Sequence, residues 1–381
     1  MNLRYKYRFY PTEEQQDTLV DIFGCSRFVY NWALALRSQA WTEDKTKINY
    51  TETSKRLTQL KKQEGFSWLN NVPSVPLQQS LRHLQVAFNN FFDKSRPDAK
   101  YPAFKSKSSR QSATFVDTAF RFKNGVVNAT SLGDLNIRFH RELPSVPKTM
   151  TIIKDCDDRY YVSFTVESEH KKLDKTNNKV GIDLGVKTFA VCSNGDEYRG
   201  VNEILKPMYQ ELKTKQKHLS RKKKGSRRRA KAKLKVARQH SKISRVRKDY
   251  LDKLSKKIID NNDLIVIEDL GVKPMTKNQG QKRKSINQSM ITQGWNMFSQ
   301  MLCYKAELYG REVKKIDRYF PSSKMCSHCG HINNELMVQD REWDCLKCQA
   351  RHNRDLNAAK NILTAGTVVY TRLEDMVVIQ P

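Results

Sequence analysis

Nowhere in these 381 residues does an apolar run approach the roughly 18 that a membrane-spanning helix needs, so no membrane-embedded helix is expected. The opening MNLRYKYRFYP interrupts its hydrophobicity with charge at every second position, which argues against a secretory signal. Cysteine is sparse outside one place. Of eight cysteines, four stand at 326, 329, 345 and 348, while Cys25, Cys156, Cys192 and Cys303 are scattered, and that is no disulfide framework. The cluster reads as a metal site in a reducing compartment and the scattered four as small buried hydrophobes. Acid is also in short supply. Forty Asp and Glu face seventy Lys and Arg, a formal charge of +30. A field of that sign gathers polyanions, so nucleic acid, and no membrane, is the expected partner.

Enough apolar material is present to fold. The hydrophobic share is 38%, with 15 Tyr, 16 Phe and 5 Trp, and the length exceeds the roughly 250 to 300 residues at which one core stops growing. More than one domain is expected. Residues 3 to 9 alternate Leu3, Tyr5, Tyr7 and Phe9 with Arg4, Lys6 and Arg8, the period of a half-buried strand. Thr12 with Gln15 forms a capping-box signature for a following helix. Between Pro76 and Asp93, the positions Leu77, Leu81, Leu84, Phe88 and Phe91 recur in steps of four and three, the face of a packed helix. Short strands return over 112 to 168, including a hairpin in which MTIIK and YYVSFTVE flank DCDD. A strand, a helical insertion and further strands suggest a β-barrel interrupted by helices.

The polar stretch 171 to 179 reads as a linker to a second unit. There VGIDLGVKTFAV predicts a strand ending at Asp183, a turn through Gly185 and a returning strand. From Ser220 to Tyr250 fifteen residues are Lys or Arg and only Asp249 is acidic, so this stretch is expected to be a rail for phosphates rather than a solvated helix face. LIVIED predicts a buried strand ending at Glu268, residues 290 to 309 a helix, and REVKKID a strand near 312 to 317. Alternation of this kind implies an α/β or α+β layered domain.

Two constellations carry chemistry. The spacing C-x2-C-x15-C-x2-C gives Cys326, Cys329, Cys345 and Cys348 as ligands of a tetrahedral, structural zinc, with His328 and His331 close enough to substitute. The second is made of carboxylates: Asp183 and Glu268 at strand ends, and Asp355 in RHNRDLNAAKNI at the start of a helix. Each alone is a weak sign, because an Asp before a glycine turn or near a helix start is commonly structural. Together, in so basic a chain, they suit a cage for two magnesium or manganese ions in phosphodiester cleavage.

The order VGIDLGVKTFAV, IVIEDL, FPSSKMCSHCG, CLKC and HNRDLNAAKNI resembles the RuvC-like nuclease and zinc ribbon of TnpB, the transposon-encoded RNA-guided nuclease family related to type V CRISPR effectors. RFYPTEEQ, CSRFVYNWAL, LQQSLRHL and YPAFK are similar to the family's opening strand and helical recognition domain. The resemblance implies an α+β multidomain fold: a wedge β-barrel over 1–10 and 96–172, a helical recognition domain over 11–95, an RNase H-like RuvC nuclease over 173–325 and 349–381, and an inserted zinc ribbon over 326–348. It further implies an RNA-guided DNA endonuclease with Asp183, Glu268 and Asp355 catalytic on Mg2+ or Mn2+, and Zn2+ on the four cysteines.

The implied partners are a guide RNA from the transposon end and double- and single-stranded target DNA, bound by a monomer on one RNA, and the implied setting is the cytoplasm and nucleoid of a prokaryote. Tyr50, Ser74, Gln78 and the loop 114 to 118 fall where the family contacts the target-adjacent motif, and Arg221, Lys222, Lys223, Lys224, Arg227, Arg228 and Arg229 are the expected phosphate contacts. Three other readings compete: an RNA-guided DNA-binding repressor, which the intact triad disfavours; an RNase H-like transposase, which the ribbon between the second and third carboxylates disfavours; and an inactive zinc-ribbon RNA-binding protein, which leaves the carboxylates unexplained.

Overall fold

In the computed structural model, which describes residues 2–169, 172–270, 292–337 and 339–368, the alternating N-terminal segment becomes strand β1 (Asn2–Phe9). Tyr7 and Phe9 are buried, while Arg4 and Lys6 face solvent. The expected cap follows: Thr12 accepts from the Gln15 backbone and the Gln15 side chain accepts from the Thr12 N–H, opening α1 (Glu13–Asp44). Helices α2 (Tyr50–Leu60) and α3 (Ser74–Phe92) complete the helical part, and Leu77, Leu81, Leu84 and Phe88 point into the core as the spacing requires.

The remaining strands of this unit are β2 (Gln111–Val116), β3 (Phe120–Lys123), β4 (Val126–Ala129), β5 (Gly133–Asp134), β6 (Ile137–Arg138), β7 (Thr149–Lys154) and β8 (Tyr160–Glu167). β7 and β8 form the expected hairpin, turned by Asp158 in the left-handed region at φ 64°. One antiparallel sheet runs β2-β7-β8-β1-β6 and a second runs β3-β4-β5. The expected barrel is therefore not closed. Among the described residues no ladder joins β2 to β6; β6 is two residues long and bonds β1 alone. Helices α1 and α3 pack against β2 instead, and both sheets share one apolar core with the helices.

The chain divides into two units, Met1–Ser168 and Glu169–Pro381. The second is built on a five-stranded sheet in the order β11-β10-β9-β12-β13, with β9 (Lys179–Asp183), β10 (Thr188–Cys192), β11 (Glu197–Arg199), β12 (Leu264–Glu268) and β13 (Glu312–Ile316). β9, β12 and β13 are parallel, and β10 returns antiparallel beside β9, as the glycine turn predicts. Four of the five residues of β12 are buried, the pattern of a strand covered on both faces.

Helices α4 (Asn202–Ser220), α5 (Arg227–Asn261), α6 (Trp295–Tyr309) and α7 (Arg354–Thr367) complete the unit. Leu251, Leu254 and Ile258 of α5 and Phe298 and Leu302 of α6 cover one apolar cluster of the sheet, and Ile362 of α7 joins Leu264, Val266 and Ile316 in another. β14 (Glu342–Asp344) and β15 (Arg351–Asn353) form a hairpin whose turn carries Cys345 and Cys348. Of the four scattered cysteines expected to be buried, Cys25 and Cys192 are, whereas Cys156 and Cys303 are exposed, because they lie in a hairpin turn and on the outer face of α6. The terminal stretch TVVYTRLEDMVVIQP has strand-like runs in its sequence, but its residues 369 to 381, like residues 290 and 291 of the predicted helix, lie outside the described residues. No helix among the described residues is long and apolar enough to cross a membrane.

Candidate active site and metal centre

Asp183 and Glu268 end adjacent parallel strands. In the β9–β12 ladder Ile182 pairs with Ile267, so the next residue on each strand brings the two carboxylates side by side at the carboxyl end of the sheet, where open α/β sheets place their sites. Asp355 comes from the first turn of α7, whose N-cap is Asn353. That helix can lie so close to the sheet because two residues lack side chains. A Cβ on Gly181 would stand 2.2 Å from the Ala359 carbonyl oxygen, and one on Gly366 would stand 2.4 Å from Val266 Cγ1.

Electrostatics link the three acids. Burial, then the charges of Glu268 and Asp355, push the Asp183 carboxyl up to about 7, against the opposing influence of Arg354 and Arg341. Burial also raises Glu268, against a 2.5 Å hydrogen bond that Ser322 Oγ donates to its Oε1. Asp355 accepts from Arg341 Nη1 at 3.1 Å on each oxygen. Three crowded carboxylates, of which Asp183 and Glu268 have a raised affinity for protons, are the donor set that a hard divalent cation would satisfy.

The four cysteines converge. Their Sγ atoms lie within 4.8 Å of one another, with Cys326–Cys348 at 3.7 Å and Cys329–Cys345 at 3.5 Å. Tetrahedral zinc with bonds of about 2.3 Å sets sulfurs about 3.8 Å apart, so the residues fit that metal. The two knuckles repeat one geometry. Gly330 N–H bonds to the Cys326 carbonyl and Gln349 N–H to the Cys345 carbonyl, each from a left-handed residue, at φ 73° and 55°. Neither His328 nor His331 joins the converging set. The histidine that does approach is His352, with Nε2 3.0 Å from Cys326 Sγ; it stands outside both CxxC knuckles, so their spacing carries no sign of it.

The ribbon is tied to the carboxylate helix. Buried Asn357 accepts from the Ser327 N–H and donates to the Met325 carbonyl, while Asn361 donates to the carbonyls of Ser322 and Met325. These two asparagines stand four apart on α7, a spacing that one helix face requires and that was visible in DLNAAKN. Ser322 and Arg341 have no such signal, because their partners are distant in sequence.

The expected nucleic-acid contacts fare unevenly. Tyr50 hydroxyl donates to Gln78 Oε1 at 3.2 Å, Ser54 hydroxyl reaches the same oxygen at 3.0 Å, and exposed Ser74 lies one turn before Gln78 on α3. The segment 114 to 118 is not a loop throughout: Thr114, Phe115 and Val116 belong to β2, and Phe115 is fully buried. A side chain at every second strand position must face the core, which the loop expectation ignored. In the basic run, Arg221, Lys223, Lys224, Arg227 and Arg228 are exposed and Lys222 is half-buried. Arg229 differs. Its Nη1 donates to the carbonyls of Leu219 and Lys222, closing the end of α4.

Comparison with known proteins gives a consistent result. Residues 163–279 match a family profile described as "Probable transposase", 295–362 one described as "Cas12f1-like, TNB domain", and 1–46 one described as "Helix-turn-helix domain". The last stretch here forms β1 and one uninterrupted helix. A protein of Streptomyces pristinaespiralis, named "Putative RNA-guided DNA endonuclease", is 43% identical over 95% of this chain and 89% of its own length. InsQ of Escherichia coli strain K12, given the same description, is 32% identical over 96% and 92%. A TnpB-like protein of Acanthamoeba polyphaga mimivirus is 24% identical over 95% and 72%. Among solved structures, a Cas12f1–sgRNA–target DNA complex shares the fold with a TM-score of 0.57 at 14% identity, covering 95% of this chain and 98% of that one. The mini-RNA-guided endonuclease Cas_phi3 aligns at 0.51 and 10%, covering 97% and 92%.

Proposed function

The chain belongs to the TnpB family, and from that premise we propose that it is an RNA-guided DNA endonuclease whose nuclease centre is Asp183, Glu268 and Asp355. The observation that carries this reading is the pairing of Asp183 and Glu268 at adjacent strand ends with α7 laid across them. Mg2+ or Mn2+ held by the three carboxylates would supply Lewis-acid polarisation of the phosphodiester and a nucleophile at neutral pH.

The protein's own residues prepare the site for this chemistry. Asp183, with its carboxyl raised to about 7, gives up its proton within the neutral range and adds the negative charge a cation needs. Ser322 fixes one oxygen of Glu268 and leaves the other available. Arg341 holds Asp355 on both oxygens, so it must turn away before Asp355 can ligate. Zinc on Cys326, Cys329, Cys345 and Cys348 holds the ribbon, and Asn357 and Asn361 pass its position to α7. The ribbon's task is thus to position Asp355.

Around this centre the wedge, helical recognition, RuvC-like and ribbon divisions named above assign guide and target handling to the rest of the chain. A transposon-end guide RNA binds one protein molecule, Tyr50, Ser74 and Gln78 face the target-adjacent motif, and the exposed cations of 221–228 track phosphates of RNA and target DNA. The setting is a prokaryotic cytoplasm. The test is to purify the chain from cells that also express its flanking transposon end, sequence the copurifying RNA, and assay plasmid cleavage with magnesium. One abundant RNA ending in variable sequence, with cleavage of the matching plasmid, is expected. Binding without cleavage would favour the repressor reading, and strand transfer without any RNA the transposase reading.

A further inference from the structure

The helical part of the first unit carries an aromatic surface that no step above uses. Phe91 and Phe92 close α3 with ring centroids 5.0 Å apart, Tyr101 meets Phe91 edge-on at 5.3 Å, and the Tyr101 hydroxyl shares a 2.7 Å hydrogen bond with Ser38 of α1. Phe92 is 71% exposed, Tyr101 47%, and Trp41, one turn along α1 from Ser38, 48%. Phe88 anchors the group from below, stacked on Phe92 at 14° and buried. Rings held in place by two helices and left open to water in this number mark an interaction surface.

Its surroundings say what covers it. The Arg37 guanidinium lies 4.2 Å over the Phe88 ring, and Lys45 and Lys47 stand 5.7 and 5.9 Å from the Trp41 ring. The segment joining Phe92 to Tyr101 adds Lys94 and Lys100 beside Asp98, while its Arg96 is paired with Asp93 at 3.4 Å. Flat apolar rings bordered by cations fit a ligand that offers flat apolar rings bordered by anions, which is a run of unpaired nucleotides. We propose that this surface stacks unpaired bases of the bound RNA. The proposal rests on the RNA-guided reading. Under that reading RNA accompanies the protein before any target is met, and an exposed aromatic surface needs a standing cover rather than a transient one.

The test uses the full chain and the RNA recovered with it, re-added to protein stripped in high salt. Phe92→Ala combined with Trp41→Ala, both at exposed positions that do not support the core, is expected to weaken RNA binding roughly ten- to a hundredfold. The slope of affinity against salt stays unchanged, since no cation is removed. Phe92→Trp with Trp41→Phe retains binding, and ultraviolet crosslinks map to this surface. Unchanged affinity in the alanine variant, while the unmodified protein binds RNA and cleaves, overturns the proposal and leaves the guided reading intact. A dimer that the alanine variant splits, with RNA affinity preserved, shows a self-association surface and also overturns it. If the unmodified protein holds no RNA, the guided reading fails and takes this inference with it.

Discussion

The Cβ that Gly181 lacks would fall 2.2 Å from the carbonyl oxygen of Ala359, closer than real atoms approach. A strand glycine therefore sets how near α7, and Asp355 with it, comes to Asp183. Gly181→Ala should push the helix outward. A displacement near 1 Å costs on the order of a hundredfold in rate, and overpacking costs about 1 to 3 kcal/mol of stability. Plasmid cleavage and thermal unfolding measured together check this; wild-type cleavage in the variant would rule out the close fit.

The raised carboxyl of Asp183 costs the folded protein stability at neutral pH and above. Its folded-state carboxyl is raised to about 7, so between its ordinary value and 7 the folded protein binds a proton that the unfolded chain releases. Stability without divalent ions should accordingly fall as pH rises through that window, and the cost is fully present above it. Asp183→Asn should stabilise the metal-free protein at pH 8 by roughly 1 to 3 kcal/mol while abolishing cleavage and sparing RNA binding. A variant less stable than the parent at pH 8 would contradict the assignment.

Arg341 occupies Asp355 through both oxygens. Removing that cation with Arg341→Gln should tighten Mn2+ binding by roughly three- to tenfold, since an exposed or half-exposed pair contributes up to about 1 kcal/mol. Titration followed by electron paramagnetic resonance reads this directly. Weaker binding would mean that Arg341 orients Asp355 for the metal instead of competing with it.

The ribbon should behave as a folding unit. Cys345→Ser removes one of four converging sulfurs and is expected to lower bound zinc and folded yield, because a structural zinc contributes folding free energy. Loss of cleavage should follow through the Asn357 and Asn361 ties. Zinc content by mass spectrometry and the unfolding midpoint are the readouts; full stability without zinc would remove the structural role.

Neighbouring arginines in the basic run should separate. Arg227→Gln with Arg228→Gln removes two exposed cations, and the salt dependence of RNA affinity should drop by about two in slope with the fold intact. Arg229→Gln instead leaves the carbonyls of Leu219 and Lys222 without their donor, and should lower stability by about 1 kcal/mol. Equal effects of both changes would mean that Arg229 also meets phosphate.

Local pattern was a reliable guide wherever the determining contacts lie within a few residues. The capping box at Thr12 and Gln15, the face of Leu77, Leu81, Leu84 and Phe88, the buried strand Leu264–Glu268 and the paired CxxC knuckles all appear as read. Period, cap and knuckle geometry are short-range consequences of backbone sterics and hydrogen bonding, so residue order determines them. Charge did likewise for the class of partner, since a sum over 70 cations does not depend on the fold.

What lay beyond the sequence was every relation between distant residues. The strand pattern suggests a β-barrel, whereas the described strands of the first unit form two separate antiparallel sheets, and Arg229, one of the expected phosphate contacts, donates to carbonyls at the end of α4. His352 rather than His328 or His331 lies against the sulfurs, and Ser322 and Arg341 reach Glu268 and Asp355 across 54 and 14 residues of chain. The residue types named the chemistry, but only parallel pairing of β9 with β12 and the side-chain-free contact at Gly181 gathered three acids from positions 183, 268 and 355, because convergence is a property of packing and packing is not local.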